Sequence, residues 1–164
     1  MSHRITGEHA MITDLEEETL DLKWFSVDDS GEIAHFASGG RGFLPPSVKA
    51  SKSNLDRLKT FFRKDLSPNG IGIVSANLLL HEHFESEAEK TRYLEFFSQN
   101  ATKGLYSFDC FIDATRPTGY FLVVTPSRPL KVDDLPHDIR QILNLTHYAG
   151  KFCGTDLVKE NEIL

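Results

Sequence analysis

Apolar and polar residues alternate along "LDLKWFSV" (Leu20–Val27), placing Leu20, Leu22 and Trp24 on one face and Asp21 and Lys23 on the other. A period of two marks a half-buried strand. "EIAHFA" (Glu32–Ala37) reads as a second strand, and "DDSG" between them supplies a hairpin turn in which Gly31 takes positive φ. The period then lengthens. In "PPSVKASKSNLDRLKTFFRKDL", Leu55, Leu58, Phe62 and Leu66 recur at helical spacing. Pro45 and Pro46 cannot lie inside that helix, so it starts near Ser47 or Ser51, and "SPNG" (Ser67–Gly70) ends it. Ile71–Val74 carries a short strand signal, followed by no clear period up to Leu80. Ser86-x-x-Glu89 fits a capping box that opens a second helix, with Tyr93, Phe96 and Phe97 as its apolar face.

The strongest strand signal comes next. "GLYSFDCFIDA" and "TGYFLVVT" flank a short "TRP" loop and predict a second hairpin. "YFLVV" (Tyr120–Val124) is apolar on both faces, as a central strand is. "PSRPL" is a stiff extended connection into a last short helix, with Asp134 as its cap and Leu135, Ile139, Ile142 and Leu143 buried. From Thr146 the tail reads as irregular and then frayed. Residues 1–18 are polar and acidic and read as a flexible N-terminal arm, leaving 19–164 as one domain. Hairpin, helix, helix, hairpin, helix implies an α+β fold. Its sheet is largely antiparallel, built from two hairpins, with about three helices packed on it.

Composition sharpens this picture at three points. The 164 residues suit a single domain, and twelve phenylalanines predict an aromatic core. A net charge of −6 opposes nucleic acid or anionic membrane as partner. The apolar runs reach only about four residues, far short of a membrane span. Cys110 and Cys153 form no Cys-x-x-Cys motif and read as two buried free thiols, and Met1–Thr13 has no continuous apolar segment. Both features point to a cytoplasmic protein.

Several segments invite chemistry. "ASGGRGFLPPSVKAS" (Ala37–Ser51) looks like a phosphate cradle, but Gly40-Arg41-Gly42 leads to Pro45, where a dinucleotide fingerprint needs glycine. Prolines also withhold the N–H groups a cradle offers, so the stretch reads as a corner. Arg41 and Phe43 are then candidate recognition residues on an exposed loop. "DDSGE" lacks the glycine spacing of a calcium loop. "HEHFESE" (His81–Glu87) offers His81 and His83 as metal ligands, with Glu82 and Glu85 and a third ligand from His35 or His147. A solvated connector into a capped helix explains the same residues. Cys110 sits among apolar neighbours that make a thiol inert, and no Gly-x-Ser-x-Gly elbow occurs. Charge is also segregated. Arg41 to Lys64 holds seven of the eighteen lysines and arginines, while Glu82 to Glu95 holds five glutamates against two basic residues.

"WFSVDDSGEIAHFASGGRGFLPPSV" (Trp24–Val48) and "GYFLVVTPSRPLKVDDLPHDIRQIL" (Gly119–Leu143) carry a resemblance. The first resembles the opening of a family of uncharacterised bacterial cytoplasmic proteins: Trp-Phe-x-Val-Asp, then Gly-x-Ile-Ala-x-Phe. The second resembles their close, Pro-x-x-Pro-Leu followed by Asp-Leu-Pro. The small, acidic, single-domain character looks like that of toxin-immunity proteins. The resemblance implies a protein-binding domain of the immunity or antitoxin type, without cofactor, whose partner is a basic protein. On this reading Arg41, Phe43, Glu82, Glu85 and Arg116 of the hairpin loop are the partner-binding candidates, and a homo-oligomer is compatible with the sequence. The alternative is a metal-binding or hydrolytic enzyme built on the His81/His83 segment.

Overall fold

A computed structural model of the chain describes residues 10–111 and 119–164. Strands β1 (Lys23–Val27) and β2 (Ile33–Ala37) form the expected hairpin, with Trp24 opposite Phe36 and Val27 opposite Ile33. Asp28 holds its turn. The buried carboxylate accepts the N–H groups of Ser30 and Glu32, and also the N–H of Phe152 from far along the chain. The second hairpin also forms, from β4 (Tyr106–Cys110) and β5 (Gly119–Pro126), with a register shift between Ser107 and Phe108.

β5 is central, as its two apolar faces predict. β4 pairs with one edge; β3 (Gly72–Val74) and β6 (Leu157–Lys159) pair antiparallel with opposite ends of the other. The order is β1-β2-β4-β5-β3, with β6 beside β5. The two hairpins join through β2 and β4, which run parallel with Phe36 opposite Phe108. The fold is therefore α+β, with a mixed sheet. Parallel neighbours need a long crossover, and here the helical middle of the chain supplies it.

Six helices are present among the described residues: α1 (Asp14–Thr19), α2 (Pro46–Lys49), α3 (Lys52–Thr60), α4 (Leu78–His81), α5 (Glu87–Thr102) and α6 (His137–Leu143). Ser51 caps α3 by accepting the Asn54 N–H, and a π-helical turn (Phe61–Asp65) continues it. α3 and α6 pack on each other and against β1. On the opposite side of the sheet, Phe97 and Ala101 of α5 and Leu78 of α4 cover Phe121, Val123 and Val124.

The phenylalanine-rich composition builds a continuous ring stack. Trp24 lies flat on Phe36 at 4.1 Å between centroids, Phe36 stacks on Phe108 at 5.0 Å, and Tyr120 stands edge-on to Trp24 and Phe36. The polar atoms inside this stack are paired with each other. The Trp24 indole N–H donates to the Tyr120 hydroxyl (3.0 Å), which donates to the Phe43 carbonyl (2.8 Å).

Several local expectations are corrected. From Ala10 onward the proposed N-terminal arm is docked. Ile12 is buried, and Thr13 and Glu16 form a capping box on α1. The tail is ordered: Phe152 is fully buried, Tyr148 stacks on it, and β6 extends the sheet. Asp134 lies in a 3-10 turn, and Pro136, without a side-chain cap, opens α6. The α5 box is half formed, because Ser86 accepts the Glu89 N–H while Glu89 reaches back to the N–H of Glu85. Cys110 is buried as expected, but Cys153 is exposed.

Tyr120→Phe removes one oxygen and leaves a buried N–H and a buried C=O unpaired. Each orphan costs about 1–3 kcal/mol. Urea unfolding at neutral pH is expected to show a loss of roughly 2–3 kcal/mol. A loss under about 0.5 kcal/mol would mean that the hydroxyl does not hold the core.

Candidate functional site

The glycine-rich stretch is a corner, and the N–H groups of Gly39, Arg41, Gly42 and Leu44 are spent on the protein itself. Gly39 and Gly40 take φ of 58° and 70°, the left-handed turn that residues with a Cβ avoid. The Gly39 N–H goes to Asp21, those of Arg41 and Gly42 to the Ser38 carbonyl, and that of Leu44 to Glu17. A Cβ at Gly42 would collide with the Tyr120 hydroxyl. Arg41 is exposed at this corner. Phe43 is not a recognition residue: it is only 7 % exposed and packs edge-on against Tyr120. Arg116 lies outside the described residues.

His81 and His83 diverge, because α4 ends between them and the chain turns extended at Glu82. The His81 side chain is 8 % exposed, held between the rings of Phe111 and Phe121, with Nε2 2.8 Å from Asp156 Oδ2. His83 points to solvent near Glu85. Among the described residues, no three of His, Cys, Asp and Glu come together as metal ligands. Burial pushes the Cys110 thiol up to about 12, which disfavours the thiolate form.

Glu82 and Glu85 both lie on the connector from α4 to α5, Glu82 half-buried and Glu85 exposed beside His83. Burial, and then the charge of Asp109, raises the Glu82 carboxyl above its ordinary range. Asp109 is itself raised by burial and accepts the Tyr93 hydroxyl at 2.7 Å. Just before these glutamates the chain is apolar and uncovered. Ile71, Ile73 and Val74 on and beside β3 are exposed, and Leu79 and Leu80 on α4 are 68 % and 77 % exposed. β3 is an edge strand; its one partner among the described residues is β5. The sequence signal for this patch was "IGIV" beside "NLLL", apolar runs without the alternation that buries one face.

A cleft of about 260 Å³ opens at the β1–β2 side of the sheet, between the α3 π-turn and α5. Lys23, Lys59, Arg63 and Lys103 line it, and among the described residues no carboxylate does. Phe25 and Phe62 form apolar floor, while Phe96 stands exposed at the lip with the Lys23 ammonium 4.7 Å from its ring centre. The Lys103 ammonium donates to the carbonyls of Phe62 (2.6 Å) and Arg63 (3.1 Å), which the widened π-turn leaves available. At the base lies buried His35. Its Nδ1 is 3.0 Å from Ser107 Oγ and 3.4 Å from the Asn100 amide nitrogen. Burial, and secondarily the Lys23 charge, lowers the imidazole to about 3, so the ring is neutral at physiological pH. Sequence reading identified a basic first helix; it did not place Lys59 and Arg63 opposite Lys103.

A histidine that is neutral when folded and titrates near 6.5 when unfolded supports stability fully above about pH 6.5, and loses that support as pH falls toward about 3. Between about pH 7 and pH 5, wild type is expected to lose about 2 kcal/mol more unfolding free energy than His35→Gln. Parallel pH profiles for the two proteins in urea would contradict a neutral, buried His35.

Compared with known proteins, the chain finds no counterpart: no family model, no curated protein and no solved structure matches it.

Proposed function

We propose that the protein works by binding another protein, through the apolar segment Ile71–Leu80 and the carboxylates of Glu82 and Glu85 that follow it. The observation that carries this reading is the exposure of five large aliphatic side chains within ten residues, on an edge strand and the short helix after it. An open sheet edge with apolar side chains is a template for another chain, and isolated proteins usually blunt it with charge, proline or a covering element. Here the charge stands beside the apolar segment, at Glu82 and Glu85, and leaves the aliphatic centre uncovered.

The complementary partner presents an apolar strand or loop ringed by lysine and arginine. The net charge of −6 steers such a partner toward the surface before contact. A basic partner is also what the resemblance to immunity proteins implies, and a toxin-blocking role is the biological form this reading takes. Arg41 lies on the glycine corner and is not part of the proposed surface.

The test is affinity capture from the native host followed by a binding titration with the purified partner. A single stoichiometric partner is expected. Its affinity falls on the order of tenfold in Leu79→Ser/Leu80→Ser, and its salt dependence flattens in Glu82→Gln/Glu85→Gln, with melting temperatures unchanged. Capture of no stoichiometric partner at low salt, or full affinity in the leucine variant, sinks the reading.

A further inference from the structure

Four cations converge on the cleft between the α3 π-turn and α5 in a protein whose net charge is −6. Folding accounts for two of them. Lys23 pairs with Asp21 and covers the Phe96 ring, and Lys103 ties down the π-turn carbonyls. Folding does not account for Lys59 and Arg63. Neither forms an ion pair among the described residues, although three other cations of the same basic stretch do: Lys49 with Asp14 and Glu17, Lys52 with Glu16, and Arg57 with Asp65 and Asp138. Lys59 and Arg63 are also four positions apart on one helical segment, where like charges repel. Placing them there opposes stability, and a bound anion removes the opposition.

The rest of the cleft describes that anion. Phe25 and Phe62 provide flat apolar surface, and Phe96 adds an exposed ring at the mouth. The neutral His35 ring is almost fully buried at the base, with Ser107 and Asn100 both at its Nδ1. The rim cations are donors for the oxygen atoms of that anion. About 260 Å³ is the share of roughly nine liquid waters, which suits a compact molecule. We infer that this cleft binds a small anion attached to a flat ring, such as an aromatic phosphate or carboxylate, with Lys59 and Arg63 holding the charge and Phe96 covering the ring.

The inference is independent of protein binding at β3 and α4, and its test uses a defined probe. Phenyl phosphate, phenol and inorganic phosphate are titrated separately into the full chain, with backbone amides followed by NMR. Phenyl phosphate is expected to shift the amides of Phe96, Gln99 and Asn100, with a dissociation constant of about 1 mM, and phenol and phosphate to bind at least about tenfold more weakly. Lys59→Glu/Arg63→Glu is expected to weaken phenyl phosphate by at least about tenfold. A charge-matched control outside the cleft, Lys64→Glu/Arg92→Glu, is expected to leave it within about twofold. Arg63, Lys64 and Arg92 are exposed and Lys59 is half-buried, and the amide spectra of both double variants report folding directly. The inference is overturned if phenyl phosphate leaves the cleft amides unmoved, if it binds no tighter than its two halves, or if the two double variants weaken it equally.

Discussion

One buried oxygen, the Tyr120 hydroxyl, closes the architecture. It accepts the Trp24 indole N–H and donates to the Phe43 carbonyl, so β1, β5 and the glycine corner meet at a single atom. None of these polar groups has access to water in the ring stack, and each is costly to leave unpaired. The three segments therefore have to arrive together. The consequences run outward. Gly42 has no room for a Cβ, Phe43 turns inward, and the corner is rigid enough to deliver Pro45 to the start of α2. Asp28 plays the matching part elsewhere, binding its own hairpin turn and the Phe152 N–H, which draws the tail onto the sheet.

Because the core absorbs most of the aromatic side chains, the few left outside stand out. Phe96 is uncovered at the cleft, and the exposed aliphatic residues gather on β3 and α4. Sheet order sets these two regions apart. β3 is the last strand on one side of β5, whereas the cleft is lined by residues of β1 and β2 on the other. α5 spans both, with Glu87 and Glu89 in its first turn and Phe96, Gln99, Asn100 and nearby Lys103 toward its other end. Those two glutamates offset the positive end of the helix dipole.

Sequence patterning was most reliable where one local rule governs an element. Two-residue periodicity located the strands of both hairpins, Ser86 located the start of α5, and Ser51, one of two candidate starts with Ser47, proved to cap α3. It was least reliable where the partner lies far along the chain. The tail looked irregular because β6 has only three residues and owes its existence to β5. Phe43 looked exposed because a Gly-Arg-Gly loop normally is, and nothing local announces a tyrosine from residue 120. His81 and His83 looked like a ligand pair because spacing carries no information about where a four-residue helix stops.

Thus the chain alone determined its α+β class, its hairpins, its aromatic core and its acidic balance, since each follows from composition or from contacts a few residues apart. Tertiary structure alone decided the parallel join of β2 to β4, the inward turn of Phe43 and His81, and the meeting of Lys23, Lys59, Arg63 and Lys103 around His35. These depend on which distant surfaces can exclude water together, a condition that no window of sequence contains.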